Sequence, residues 1–289
     1  MCKYTEEIIN KARKCGDWLY SIAVAENERL TTAAIRPANR TNDCYSVAKL
    51  FTVTALGMLY DERRLDVDER IVDIFSSELP DDIDPGWERV TVDMVMRHRF
   101  GIEQGFLDID VEDLDTYRAV YGTREDFLGI VLSHRLPLEP GTREVYSDAA
   151  YYLLSRVVTK KSGEILCDYL RQRLFNLLEF EEAAWSCCPR GYSMGATGLF
   201  IRVGDMVKLG QLYLSGGVYR GRRILSEEWC RQVLERGWEL RRFGSGYAKG
   251  GMYGQFLYIS CERRLAVAFM GHDQADASAA MREILYRID

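Results

Sequence analysis

What this chain lacks narrows its function before any motif is read. It has only three histidines, His98, His134 and His272, scattered in no metal-holding spacing, so we expect neither a metal centre nor a cofactor. Its eight cysteines make no C-x-x-C pair and have no companion histidine motif. Cys2, Cys15, Cys44, Cys167, Cys187, Cys188, Cys230 and Cys261 are therefore expected to remain thiols. Basic charge is not in excess: 38 Lys and Arg face 44 Asp and Glu, for a formal net charge of -6. That balance argues against a nucleic-acid partner, and the short clusters at 220–223 and 241–242 read as solvated loop charge. No apolar run approaches the roughly 18 residues a membrane span requires, and residues 1–7 carry no apolar segment before a cleavage site. A cytoplasmic protein with a small-molecule partner and no membrane contact is the expectation. Internal repeats, low-complexity tracts and linkers are also missing.

What is present is a long chain, 289 residues with 47% hydrophobic side chains, enough for a large core. Helical spacing of Ile8, Ile9 and Ala12 predicts a helix over 5–13, stopped by Gly16. Residues 18–25 and 30–35 read as strands joined by a polar turn at 26–29, a hairpin. The stretch 46–60 is apolar on nearly every face, which predicts a helix buried in the middle of the protein. Helices are also expected over 91–98, 124–133, 149–159, 164–174, 203–214 and 227–235, with acid-rich loops at 78–88 and 103–115. A second hairpin follows, with strands at 255–260 and 265–271, and a last helix spans about 276–286. Strands thus lie at the two ends of the chain and helices between them. The expected organisation is a discontinuous α/β lobe from 1–45 and 191–289, with a mostly helical lobe from 46–190 inserted and an active site in the cleft between.

Chemistry is concentrated where the buried helix begins. Tyr45-Ser46-Val47-Ala48-Lys49 puts a hydroxyl and an amine on one helical face, because residues three apart are neighbours there. A base beside a serine is how that weak nucleophile is activated. The pattern is common by chance and needs support elsewhere. Cys44, two residues ahead of Ser46, reads as an incidental thiol rather than a second nucleophile, and its alkylation would inactivate the neighbouring serine.

Support comes from three further elements in order. Leu138-Glu139-Pro140-Gly141-Thr142 precedes Tyr146-Ser147-Asp148 and an apolar helix. Gly195-Ala196-Thr197-Gly198-Leu199 precedes another. Lys249-Gly250-Gly251-Met252 leads towards a strand. Together with the S-x-x-K pattern, these elements resemble the serine β-lactamase and penicillin-binding-protein superfamily, most closely its class C-like branch of esterases and related hydrolases, over most of the chain.

The resemblance implies a β-lactamase/transpeptidase-like α/β (α+β) fold, an antiparallel sheet flanked by helices. It implies Ser46 as nucleophile, Lys49 as its partner and Tyr146 as the tyrosine of the Y-x-N element. Asp148, Lys249 and Gly251 are supporting residues, and the backbone N–H groups of Ser46 and Met252 form the oxyanion hole. A tyrosine acts as a base more readily when ammonium groups favour its phenolate, a part that Lys49 and Lys249 could take. Three departures matter. Asp148 stands where the family has Asn, and a carboxylate beside Lys49 would hold it as ammonium, shifting proton transfer to Tyr146. Gly250 replaces the hydroxyl residue between lysine and glycine, which weakens recognition of a substrate carboxylate. His98-Arg99-Phe100-Gly101 keeps the glycine of the family's H-T-S-G turn, loses the small hydroxyls and reads as structural.

The expected activity is acyl transfer to Ser46 and hydrolysis of a small ester or amide, carboxylesterase-like. β-Lactamase or D-aminopeptidase/carboxypeptidase activity is the alternative within the class, and a catalytically silent ligand-binding relative the alternative outside it. Glu139 reads as a loop carboxylate. A rival nucleophile, Ser193 in Gly191-Tyr192-Ser193-Met194-Gly195, with Asp205 and His272 after it in chain order, lacks the strand before and helix after that an elbow needs.

Overall fold

A computed structural model describes residues 3–27, 29–108, 115, 122 and 125–288. Cys2, Glu28, the start of the helix expected at 124 and most of the acid-rich loop beyond 108 lie outside the described residues. The chain forms two compact units, Met1–Leu50 with Arg171–Ala184 and Leu199–Asp289, and Phe51–Leu170 with Trp185–Gly198. These bounds differ from the lobes expected at 45/46 and 190/191. The segment Arg171–Ala184 groups with the first unit, where the Glu181 N–H donates to Asp205 at 3.2 Å and Lys208 Nζ donates to the Glu179 carbonyl at 2.5 Å.

Eleven strands lie among the described residues, all in the first unit but for the last residue of β4: β1 (Leu19–Glu26), β2 (Arg29–Ala34), β3 (Thr41–Asp43), β4 (Ala183–Trp185), β5 (Leu199–Arg202), β6 (Val218–Tyr219), β7 (Arg222–Arg223), β8 (Arg241–Phe243), β9 (Gly246–Gly250), β10 (Phe256–Ser260) and β11 (Leu265–Gly271). Six of them make an antiparallel sheet in the order β2-β1-β11-β10-β9-β8, so both chain ends contribute, as expected. The two hairpins read from the sequence are both in it. Three short strands, β3-β5-β4, form a second sheet, and β6-β7 a third.

Both faces of the six-stranded sheet are covered, which is why β10 and β11 are buried at every residue and read as unbroken apolar runs. Alternate side chains serve different layers. Leu265, Val267, Phe269, Phe256 and Tyr258 pack with Ile8, Ile9 and Ala12 of the helix Thr5–Ala12 and Met281 and Leu285 of the helix Ala279–Tyr286. On the other face lies the helix Val203–Leu214. Gly210 lets it approach closely, since a Cβ there would sit 3.0 Å from Leu257, 3.1 Å from Ile259 and 3.2 Å from Ala266. Its 203–214 bounds match those read from the sequence.

The second unit is mostly helical. Its longest helix, Asp148–Ser162, starts from the Ser147 hydroxyl accepting the Ala149 N–H at 3.2 Å and packs against Val92–Met96, Phe127–Leu132 and Leu166–Leu170. The expected helix over 164–174 is shorter than its pattern, since after Leu170 the chain widens into a π-helical turn, Arg171–Phe175. Segment Trp185–Gly198 is tied in by Thr52 Oγ1 donating to the Gly195 carbonyl at 2.8 Å and Ser155 Oγ donating to the Ser193 carbonyl at 2.7 Å. No helix of the described residues is long and apolar enough to cross a membrane.

Candidate active site

The helix expected at 46–60 is built in two pieces, a 3-10 turn at Tyr45–Val47 and an α-helix at Ala48–Asp61. The entry is pinned from outside: the Cys44 N–H donates to the Leu199 carbonyl at 2.9 Å, and Asp43 Oδ1 accepts the Tyr45 N–H at 2.7 Å. Residues three apart are neighbours where the turn runs into the helix, which brings Ser46 beside Lys49. Lys49 Nζ donates to Ser46 Oγ at 3.1 Å. Lys49 is fully buried while Ser46 is half-buried, so the hydroxyl can meet a substrate and the amine meets no bulk water. Burying an ammonium is costly unless it is hydrogen-bonded, so this lysine is fixed in place by its surroundings. Burial pushes the Cys44 thiol well above its usual range, and the nearby Asp43 carboxylate adds to the shift. A fully buried protonated thiol is not a target for alkylation, contrary to the expectation for Cys44.

The edge of β9 lies against this turn. At Gly251 a Cβ would come within 2.6 Å of the Cys44 carbonyl and 3.3 Å of the Ser46 nitrogen, so only glycine lets the strand end pass so near Ser46. Met252 follows, opening a 3-10 turn at Met252–Gly254 whose first N–H has no partner inside the turn. Ser46, Lys49, Gly251 and Met252 thus belong to one neighbourhood of the first unit. Lys249 lies on β9 opposite Leu257, and its ammonium forms an ion pair with the Glu239 carboxylate, both side chains being buried. Glu239 was invisible in the sequence, where it sits between Trp238 and Leu240 in an ordinary surface-like context. Its backbone is left-handed, with φ +67. The partner matters electrostatically, because the carboxylate offsets the cost of burying the Lys249 ammonium.

Tyr146 and Asp148 belong to the second unit. The Tyr146 phenol is 47% exposed, but its backbone is held firmly on both sides. His98 is the anchor. Its carbonyl accepts the Val145 N–H at 2.8 Å, its Nδ1 accepts the Ser147 N–H at 3.3 Å, and its ring lies 4.5 Å from that of Tyr146. Ser147 Oγ bridges to the chain at Phe106, accepting its N–H at 3.1 Å and donating to its carbonyl at 3.0 Å. Asp148 occupies the first turn of the helix Asp148–Ser162, is buried, and has its N–H donated to Asp108 Oδ1 at 3.1 Å. A helix N-terminus favours a carboxylate there. The segment His98 to Gly101, read as structural, thereby also positions Tyr146.

The rival serine is used structurally. Ser193 is buried, its Oγ accepts the Cys167 N–H at 3.2 Å, and it sits in an isolated bridge with Cys187 rather than between a strand and a helix. In the first unit Asp205 pairs with Lys208 at 2.8 Å and His272 stacks on Tyr253 at 4.4 Å. Burial raises the Asp205 carboxyl despite that lysine. Glu139 is an exposed loop carboxylate paired with Arg89 at 3.0 Å.

The chain is 26% identical over 176 residues to an N-acetylmuramyl-L-alanine amidase of Bacillus subtilis (strain 168), covering 60% of this chain and 40% of that protein. It therefore spans less than half of that relative's length. A penicillin-binding protein homologue from Caulobacter crescentus superimposes with a TM-score of 0.75 at 13% identity, over 99% of this chain and 98% of that one. EstCE1, described as a hydrolase with promiscuous acyltransferase activity, superimposes with a TM-score of 0.72 at 13% identity, over 98% of each chain. Residues 42–288 match the Beta-lactamase family, and with that match covering most of its length the chain belongs to the Beta-lactamase family.

Proposed function

We propose that this chain is a serine hydrolase that forms an acyl intermediate on Ser46 and acts on a small ester or amide. The observation that carries the reading is the 3.1 Å hydrogen bond from a fully buried Lys49 to the Oγ of a half-buried Ser46. Ser46 Oγ attacks the substrate carbonyl, and the N–H groups of Ser46 and Met252 hold the oxyanion that forms. The hydroxyl proton passes to Tyr146, with Lys49 holding Oγ in place and opposing its developing negative charge. The leaving group then takes that proton as the tetrahedral species collapses. Water, deprotonated in the same way, releases the acyl group and restores Ser46.

Gly250 favours an ester or simple amide over a β-lactam or D-Ala-D-Ala peptide, because it offers no side-chain donor to a substrate carboxylate. An amidase and an acyl-transferring hydrolase among the similar proteins are in keeping with that substrate range. The test is a parallel screen of p-nitrophenyl esters, nitrocefin and D-aminoacyl anilides, with mass spectrometry of a fluorophosphonate adduct. Ester turnover and a labelled Ser46, both lost in Ser46→Ala, are expected. Turnover that survives Ser46→Ala, or inertness to every probe, would reject the assignment.

A further inference from the structure

Two large aromatic residues stand where glycine would be the ordinary choice. Tyr45, immediately before Ser46, has φ +46, and Tyr253, immediately after Met252, has φ +55. Bulky side chains rarely adopt this left-handed backbone, and when they do so beside a functional group the ring itself is the reason to look for. The two rings meet edge to face, with centroids 5.3 Å apart and planes at 72°. Tyr253 also stacks on His272 at 4.4 Å and 28°. Both tyrosines are half-buried and His272 is exposed, with its Nε2 3.1 Å from the side-chain nitrogen of Gln274. The base of this row is fixed, since the Asp273 N–H donates to the Tyr253 carbonyl at 3.0 Å and the His272 N–H to the Trp18 carbonyl at 2.8 Å.

A ring is therefore attached next to each of the two amides that would cradle the oxyanion. We propose that Tyr45, Tyr253 and His272 form a substrate-selecting wall, and that this site prefers an ester or amide carrying a flat aryl group beside the scissile carbonyl. The inference rests on the assignment of Ser46 as nucleophile and adds the substrate class. Offset and edge-to-face ring contacts reward a planar aryl group beyond the area it buries, whereas a puckered ring of equal carbon count gains only the area. Tyr253 and Tyr45 are specificity residues here, with no part in proton transfer.

The experiment compares kcat/KM for benzyl acetate with cyclohexylmethyl acetate, and for ethyl phenylacetate with ethyl cyclohexylacetate. Each pair matches in carbon count and closely in leaving group. An aryl preference of about fivefold to tenfold is expected in at least one pair. Tyr253→Asn, which tolerates the left-handed backbone without a ring, should bring that ratio towards one, and Tyr253→Phe should keep it; Tyr45→Asn is the second variant should the first not fold. A ratio near one in both pairs of the native protein, or a ratio unmoved by folded Tyr253→Asn, overturns the wall. Calorimetry of Ser46→Ala with N-benzylacetamide and N-(cyclohexylmethyl)acetamide separates the two claims. Tighter binding of the benzyl compound with no ester turned over by the native protein keeps the wall and rejects the hydrolase; turnover without aryl preference does the reverse.

Discussion

The Ser46 segment of the first unit and the Tyr146 segment of the second are held in opposite ways. Around Ser46 the side chains are locked: Lys49 is buried, Lys249 is paired with Glu239, and Gly251 clears the strand for close approach. Around Tyr146 the backbone is locked instead, by His98, Ser147 and Asp108, while the phenol stays 47% exposed. Locked side chains keep one geometry around Ser46. An anchored backbone with an exposed side chain fixes where the Tyr146 ring starts and leaves it open to solvent.

Several substitutions would sharpen or break that contrast. The largest effect belongs to Ser46→Ala, which should lower kcat for ester hydrolysis by about a thousandfold or more with an unchanged melting temperature. Tyr146→Phe should lower kcat about a hundredfold, again without a change in melting, since the phenol is exposed. If its rate is unchanged, Tyr146 plays no chemical role.

Glu239→Ala tests the locked side. It removes the carboxylate that balances the buried Lys249 ammonium and should cost about 3 kcal/mol in a denaturant titration, with Glu239→Gln costing less. His98→Ala tests the anchored side, removing the acceptor for the Ser147 N–H and the ring beneath Tyr146. We expect a loss of about 2 kcal/mol and a fall in kcat exceeding the effect on KM.

The smallest effect concerns Asp273, at the foot of the aromatic row. Burial would raise its carboxyl, but hydrogen bonds from Ser278, Ala275 and Ala277 outweigh burial and hold it down to about 2. A carboxylate with a depressed folded value stabilises the fold above its ordinary value and loses that contribution as pH falls towards 2. Asp273→Asn should therefore cost about 1 kcal/mol at neutral pH and almost nothing near pH 2, read from paired thermal melts.

The helices at 5–13, 203–214 and 227–235 and both hairpins were legible because their apolar periodicity is strong and local. The strands β3, β4, β5 and β8 were not, being three or four residues long, too short for a period to show, and β3 is held by β5, far away in sequence. The same division runs through the candidate site. Ser46 and Lys49 announce themselves because one helical turn joins them. Glu239 does not, since only the fold brings its carboxylate to Lys249, ten residues on.

By itself the sequence determined the local chemistry: a hydroxyl three residues from an amine, a glycine pair behind Lys249, and apolar runs long enough to bury the helix that carries Lys49. Only tertiary structure decided the electrical state and the lining of the site. Glu239 balances Lys249, His98 holds the chain at Tyr146, and Tyr45 meets Tyr253 across more than two hundred residues of sequence. The physical reason is range: helix and strand patterns are set by neighbours along the chain, whereas charge pairing and ring packing depend on distances that exist only once the sheet has formed.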